Sequence, residues 1–265
     1  MYSKFYLTAK YFNYLLSSSN GKGHGIHSPF VFDFIKNVLN DKQEYPCYQQ
    51  IENIRKNLLQ NNSVIEVEDF GAGSAIIPTK ERKISSIAKT SLKPKKFSQL
   101  FYRIINYYHS QTIVEIGTSL GITTSYLASV NAAAKVFTFE GSHEISEIAK
   151  NNFSRLNLNN IELVEGNFDD TFSTPLQEIN SIDFAFIDGN HRYHPVIQYF
   201  RQVLRQSNNT TIIIFDDIYW SEEMEQAWNW IKQHEDVTLS IDLFFVGIIF
   251  LRKEFLEKKH FTIWF

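Results

Sequence analysis

From Thr112 onward the chain alternates short apolar runs with stretches of helical periodicity, and this alternation restricts the fold more than any other feature. The runs are Thr112–Ile116, Lys135–Glu140, Ile161–Glu165, Ile182–Asp188 and Thr210–Asp216, rich in β-branched and aromatic residues. Each is continuous rather than alternating in polarity, which suits strands buried on both faces. Helical segments separate them, and a strand–helix–strand succession builds a parallel, doubly wound α/β sheet with helices on both sides. The last two runs differ. Leu239–Phe245 and Gly247–Arg252 leave no room for a helix between them and must pair as a hairpin. The expected sheet is therefore five parallel strands finished by a C-terminal antiparallel hairpin.

Upstream the texture is helical. Phe5, Thr8, Tyr11, Phe12, Leu15 and Leu16 fall on one helical stripe that ends at Ser17-Ser18-Ser19-Asn20-Gly21. His27-Ser28-Pro29-Phe30 reads as a helix start, because serine caps well and a first-turn proline loses only an N–H without a partner. Phe30, Phe34, Ile35 and Val38 would form that helix's buried face, and a third helix is expected from Tyr48 to Leu59. The stretch Glu68 to Pro94 is polar and contains Gly71-Ala72-Gly73-Ser74. It starts the chain's markedly basic region, with Arg82, Lys83, Lys89 and Lys93 followed by Lys95 and Lys96. It reads either as a solvated connection or as a lid over an anionic ligand. Helical periodicity returns from Phe97 to His109. The expected organisation is a helical N-terminal extension with a basic lid or linker over 1–96 and a main domain over 97–265.

The apolar fraction of 43% supports a packed core, and a formal net charge of −3 gives no electrostatic reason to bind nucleic acid or an anionic membrane. The one cysteine, Cys47, excludes an internal disulfide and suits a reducing compartment. The N-terminus lacks a secretory profile, and the longest apolar run, Leu243 to Leu251, is too short for a membrane span, so a cytoplasmic location is expected. His24 and His27 lie in a glycine-rich turn with no matching cluster and read as structural.

In open α/β sheets ligands lie beyond the carboxyl ends of the strands, so the residues after each run hold the chemistry. The first run leads into Glu115-Ile116-Gly117-Thr118-Ser119-Leu120-Gly121, where the glycines allow a tight turn and close approach of a ligand. Their spacing is not that of a dinucleotide fingerprint or a P-loop. The second run ends in Glu140-Gly141, where a carboxylate can accept hydrogen bonds from a ribose diol, or can simply be a solvated strand end. Gly166-Asn167-Phe168 follows the third run.

Glu115-x-Gly117-x-x-x-Gly121, Glu140 and Gly166-Asn167-Phe168, taken in order, resemble the class I S-adenosylmethionine-dependent methyltransferases, over about Phe97 to Arg252. The resemblance implies a Rossmann-like fold distinguished by its terminal hairpin. It also implies a cofactor site in which Glu115, Gly117, Thr118, Ser119 and Gly121 receive the methionine and ribose portions. Glu140, followed by Gly141, would bind the ribose hydroxyls, and Asn167 and Phe168 would meet the adenine. Asn167 stands where many members carry aspartate, but its carbonyl oxygen can still accept from the adenine amino group.

Asp188 ends the fourth run, and Asp216-Asp217 ends the fifth. Three carboxylates converging at one rim would repel one another without a cation or proton, and hard oxygen ligands favour Mg²⁺ or Ca²⁺. The arrangement resembles the metal-dependent small-molecule O-methyltransferases, which implies Asp188, Asp216 and Asp217 as ligands, with Asp217 in place of the commoner asparagine. The alternative is that these acids cap helices or meet the cofactor's cationic groups, and Asp188 is counted with the cofactor set as well. His191, three residues past Asp188, is the better placed proton acceptor, and His194 leads into the next helix. The resulting expectation is methyl transfer from S-adenosylmethionine to a small-molecule acceptor, most readily a hydroxyl, with Asp188 and His191 catalytic and Mg²⁺ as an assisting ion. A metal-independent N-methyltransferase, a non-catalytic cofactor-binding module and pairing of two copies into a homodimer stay open.

Overall fold

The computed structural model describes residues 1–19, 21–23, 25–68 and 80–265, so Gly71-Ala72-Gly73-Ser74 and His24 lie outside the described residues. The fold is α/β and Rossmann-like with a mostly parallel sheet, as the alternation of runs predicts. The chain forms two compact units, Met1–Asp41 with Ile179–Phe265, and Lys42–Glu178. These follow packing, whereas the expected division at 96/97 follows sequence texture.

Helix α1 (Lys4–Ser17) starts on Ser3, whose hydroxyl accepts from the Tyr6 N–H at 3.2 Å. Its sequence stripe is not the buried face: Phe5 is 86%, Phe12 62% and Leu16 75% exposed, while Tyr14 is buried. Tertiary contacts turn the neighbouring face inward, since the Tyr14 hydroxyl donates to the Ile263 carbonyl at 2.5 Å and Lys10 pairs with Glu225 at 2.6 Å. Helix α2 (Pro29–Phe34) begins as its sequence predicts, with Ser28 accepting from the Val31 N–H and Pro29 in the first turn. It runs into a π-helical turn, Ile35–Leu39. Phe34, Ile35 and Val38 are buried, and Phe30 is half-buried, edge-on to Phe250.

The second unit opens with α3 (Pro46–Gln60), β1 (Val64–Glu66), β2 (Glu81–Lys83), α4 (Ile84–Ser91) and α5 (Lys95–Tyr108). Here the structure departs from a plain solvated connection. β1 and β2 pair antiparallel, and α4 buries Ile84, Ile87 and Ala88 against Ile51, Ile54 and Leu58 of α3. Isolated apolar residues among lysines carry little periodic signal, and their burial depends on a partner helix distant in sequence. Lys95 and Lys96 open α5, and the Lys93 carbonyl accepts from Arg55 at 2.8 Å. Next come β3 (Thr112–Ile116), α6 (Ile122–Ala128), β4 (Lys135–Glu140), α7 (His143–Arg155), β5 (Ile161–Glu165), α8 (Phe168–Thr171) and α9 (Ser173–Glu178). β3 pairs with β4, and β4 with β5, all parallel.

The first unit resumes with β6 (Ile182–Ile187), α10 (Tyr193–Arg205), β7 (Ser207–Asp216), α11 (Glu222–Gln233), β8 (Leu239–Asp242), β9 (Val246–Phe250) and β10 (Lys259–Thr262). β6 and β7 are parallel with Ile187 opposite Phe215, and β9 runs antiparallel to both β7 and β8. The hairpin is therefore present, but its strands stop short to leave a turn at Leu243-Phe244-Phe245. β10 was not anticipated. It adds parallel to β8, and its Lys-His-Phe-Thr sequence has none of the apolar continuity that marks the inner strands. No helix among the described residues is long and apolar enough to cross a membrane.

Gly247 in β9 shows how tightly this unit packs, because a Cβ there would lie 2.6 Å from the fully buried Trp228 ring. Gly247→Ala must displace that ring and is expected to cost about 1–3 kcal/mol. Urea denaturation checks this, and a midpoint equal to wild type would contradict it.

Candidate functional site

The glycine loop between β3 and α6 is shaped by backbone conformations that side chains resist. Gly117 has φ +97° and Gly121 φ +77°. A Cβ at Gly121 would also lie 2.6 Å from the Phe153 ring, so this position combines a left-handed backbone with close packing. The loop is tied to the end of β4, since the Gly117 and Thr118 N–H groups both donate to the Phe139 carbonyl at 3.0 Å. Ser119, at φ +48°, donates its N–H to Glu140 Oε2 at 2.8 Å, while Glu140 Oε1 accepts from the Ser142 N–H at 3.0 Å. The Glu140 carboxylate thus braces the two turns.

Glu115 lies beneath the loop and is fully buried. Its Oε2 accepts from the hydroxyls of Thr124 at 2.5 Å and Thr138 at 2.7 Å, and Thr138 is hydrogen-bonded to Thr118 at 2.6 Å. Its Oε1 is buried without a hydrogen-bond partner. Burial pushes this carboxyl up to about 7, against the lowering effect of the two threonine hydroxyls. Sequence reading missed Thr124 and Thr138, because a buried hydroxyl in a helix or strand looks like any core position. It also missed Ser91, whose hydroxyl lies 3.0 Å from that of Ser119.

Past β5, Gly166 has φ +125°, and the Asn167 side chain accepts from the Asp169 N–H at 3.2 Å, capping α8. Asn167 and Phe168 are half-buried, as is Gly141. Loop, Glu140 and Asn167 together fit a nucleoside-bearing cofactor. Cβ-free turns permit close approach, a carboxylate stands ready for hydroxyls, and the buried Glu115 Oε1 lacks a donor.

In the other unit, Asp216 ends β7 and Asp188 follows β6, whose last residue Ile187 pairs with Phe215. Asp216 is buried and Asp188 half-buried. His191 Nε2 lies 3.5 Å from Asp188 Oδ1, and the His191 ring is 5.7 Å from that of Trp220. Asn190 and His191 both have positive φ, +65° and +40°, a conformation non-glycine residues hold only when their surroundings impose it. His194 is exposed at the start of α10. Asp217 has φ +49° with its N–H held by the Phe245 carbonyl at 2.8 Å. Among the described residues, the group of His, Cys, Asp or Glu ligand atoms all within 4.8 Å of one another is His143, Glu147 and Glu165. In the His143 group, Lys150 already bridges Glu147 and Glu165, so the cation is supplied internally.

Residues 114–218 match the family described as a methyltransferase domain. Among solved structures, the O-methyltransferase from Bacillus cereus in complex with S-adenosylhomocysteine is 20% identical with a TM-score of 0.53, over 83% of this chain and 97% of that one. TomG, an O-methyltransferase from Streptomyces achromogenes involved in tomaymycin synthesis and solved with S-adenosylmethionine, is 14% identical with a TM-score of 0.56, over 79% and 91%. A methyltransferase from Podospora anserina bound to S-adenosylhomocysteine is 13% identical with a TM-score of 0.55, over 81% and 100%. No curated protein matches the chain. The match marks residues 114–218 as a methyltransferase domain, and the solved structures share the fold of this chain.

Glu115 generates a pH prediction. Its folded value, about 7, exceeds the ordinary 4.5, so between these the folded protein holds a proton that the unfolded chain has released. Stability from this group is therefore complete below about 4.5 and is lost as pH rises to about 7, on the order of a few kcal/mol. Glu115→Gln should remove this component, so its stability relative to wild type should climb across that window. Thermal melts from pH 4.5 to 8 test it, and a constant difference would show that Glu115 is ionised throughout.

Proposed function

We propose that the protein transfers the methyl group of S-adenosylmethionine to a hydroxyl oxygen of a small-molecule acceptor, with His191 and Asp188 removing the acceptor's proton. The single observation behind this reading is the Asp188–His191 contact at 3.5 Å, held at a parallel strand end by a left-handed backbone. An imidazole oriented by a carboxylate is suited to general-base work. Glu115, Gly117, Thr118, Ser119, Gly121, Glu140, Gly141, Asn167 and Phe168 would hold the cofactor, and Asp188 would serve the base. When bound, the cofactor supplies a sulfonium-activated methyl group. The residues contribute orientation and exclusion of water, which lower the barrier of an in-line displacement. His191 would take the acceptor's proton on Nδ1, the ring nitrogen that does not face Asp188, and Asp188 beside Nε2 would stabilise the resulting imidazolium. Asp188, Asp216 and Asp217 are the residues that would hold an assisting magnesium ion, which would polarise the acceptor oxygen. Cys47, half-buried with its thiol pushed up by burial, suits a reducing cytoplasm. Nucleic acid is not proposed as a partner, given the net charge of −3.

Glu140→Ala should weaken S-adenosylhomocysteine binding by roughly 1–3 kcal/mol, the scale of lost charge-assisted hydrogen bonds. Equal affinities by calorimetric titration would remove Glu140 from the cofactor site.

His191→Ala should lower the turnover of hydroxylated acceptors by about 10²–10⁴-fold while leaving S-adenosylhomocysteine affinity unchanged. The assay follows S-adenosylhomocysteine release across catechols, hydroxylated sugars and amines. Turnover of amines alone would replace the hydroxyl reading with N-methylation.

A further inference from the structure

Asp242 is a buried carboxylate that none of the roles above employs. It ends β8, is 6% exposed, and accepts three hydrogen bonds. The Tyr219 hydroxyl donates to Oδ2 at 2.5 Å, the Trp228 indole N–H reaches the same oxygen at 3.4 Å, and the Phe244 N–H donates to Oδ1 at 2.8 Å. Each donor belongs to a different part of the unit. Phe244 is in the β8–β9 turn, where it takes φ +68° although buried, and Trp228 is the aromatic of α11 packed on Gly247. Tyr219 lies in the loop after β7, only two residues beyond Asp217.

Turn and loop are also joined directly. The Asp217 N–H donates to the Phe245 carbonyl at 2.8 Å, and the Asp217 carbonyl accepts from the Trp220 N–H at 2.8 Å. The loop is therefore a short left-handed turn at Asp217, held on one side by Phe245 and anchored at Tyr219. The next residue, Trp220, sets its ring 5.7 Å from His191. Lys10 of α1 packs on Tyr219 as well, with its ammonium 4.7 Å over the ring while paired with Glu225. Burial, reinforced by Asp242, raises the Tyr219 hydroxyl's pKa and keeps it a donor.

We propose that Asp242 and Tyr219 form a positioning pair that holds the Asp217–Trp220 turn and thereby seats Trp220 against His191. The chemistry explains why the acceptor is a carboxylate. Its two oxygens accept only, so they serve three donors at once, whereas an asparagine would present an amide N–H₂ to at least one of them. Asp242 touches neither acceptor nor cofactor in this assignment, and its effect on the reaction passes through Trp220 and His191. The proposal rests on the reading of His191 as the proton acceptor.

The test uses the full chain. The ¹H–¹³C resonance of the His191 imidazole is recorded for wild type, Tyr219→Phe, Asp242→Asn and, as a reference for lost ring current, Trp220→Leu. S-adenosylhomocysteine is titrated calorimetrically into the same samples. In Tyr219→Phe and Asp242→Asn the His191 resonance should move toward its position in Trp220→Leu, with cofactor-product affinity unchanged. A folded Tyr219→Phe whose His191 resonance stays at the wild-type position overturns the proposal. If Asp242→Asn fails to fold, Tyr219→Phe decides alone, because it deletes one hydroxyl and keeps the ring. Failure of wild type to bind S-adenosylhomocysteine would sink the methyl-transfer reading, and the His191 resonance would still decide the positioning pair.

Discussion

Parallel pairing is the constraint on which the rest of this molecule depends. A parallel ladder turns every strand end in the same direction, so the loops that follow β3, β4 and β5 share one edge in their unit, and those after β6 and β7 share one edge in theirs. Each strand is buried on both faces and can expose chemistry only where it stops. The glycine loop, Glu140 and Asn167 gather for this reason in one unit, and Asp188, His191 and Asp216 in the other. Neither group is contiguous in sequence.

Buried carboxylates then do the local shaping. Glu115 and Asp242 play parallel roles. Each is nearly or fully withdrawn from water, and each collects donors from separate elements, threonine hydroxyls in one case and a tyrosine, a tryptophan and a backbone N–H in the other. Desolvation makes an unsatisfied acceptor costly, so such groups restrict the conformations open to the loops beside them. The backbone shows the result in the positive φ angles of Ser119, Asn190, His191, Asp217 and Phe244, all beside strand ends.

Part of the candidate site was legible in advance because its signals are local. Gly117 and Gly121 reveal a turn through their own missing Cβ, and Glu140 reveals itself by ending an apolar run. The strands β3, β4 and β5 were readable to the residue, since a continuous β-branched run changes character abruptly where burial ends. Other features carry no local signal. Ser91, Thr124 and Thr138 matter only because of what the fold sets beside them. The apolar stripe of α1 was visible but its orientation was not, because Tyr14 and Lys10 choose partners more than 200 residues away.

The sequence by itself determined the fold class and the succession of the inner strands, because both follow from periodicity and from residues adjacent in the chain. Only the tertiary structure decided the backbone conformations and contacts around the acidic groups. Three aspartates at strand ends suggest one metal site from their positions along the chain. The backbone turn at Asp217 and the contact of Asp188 with His191 are features of the folded chain alone. Side-chain direction at a strand end depends on φ, ψ and hydrogen bonds supplied by distant turns, such as the Phe245 carbonyl on Asp217, and no spacing rule within the loop encodes those.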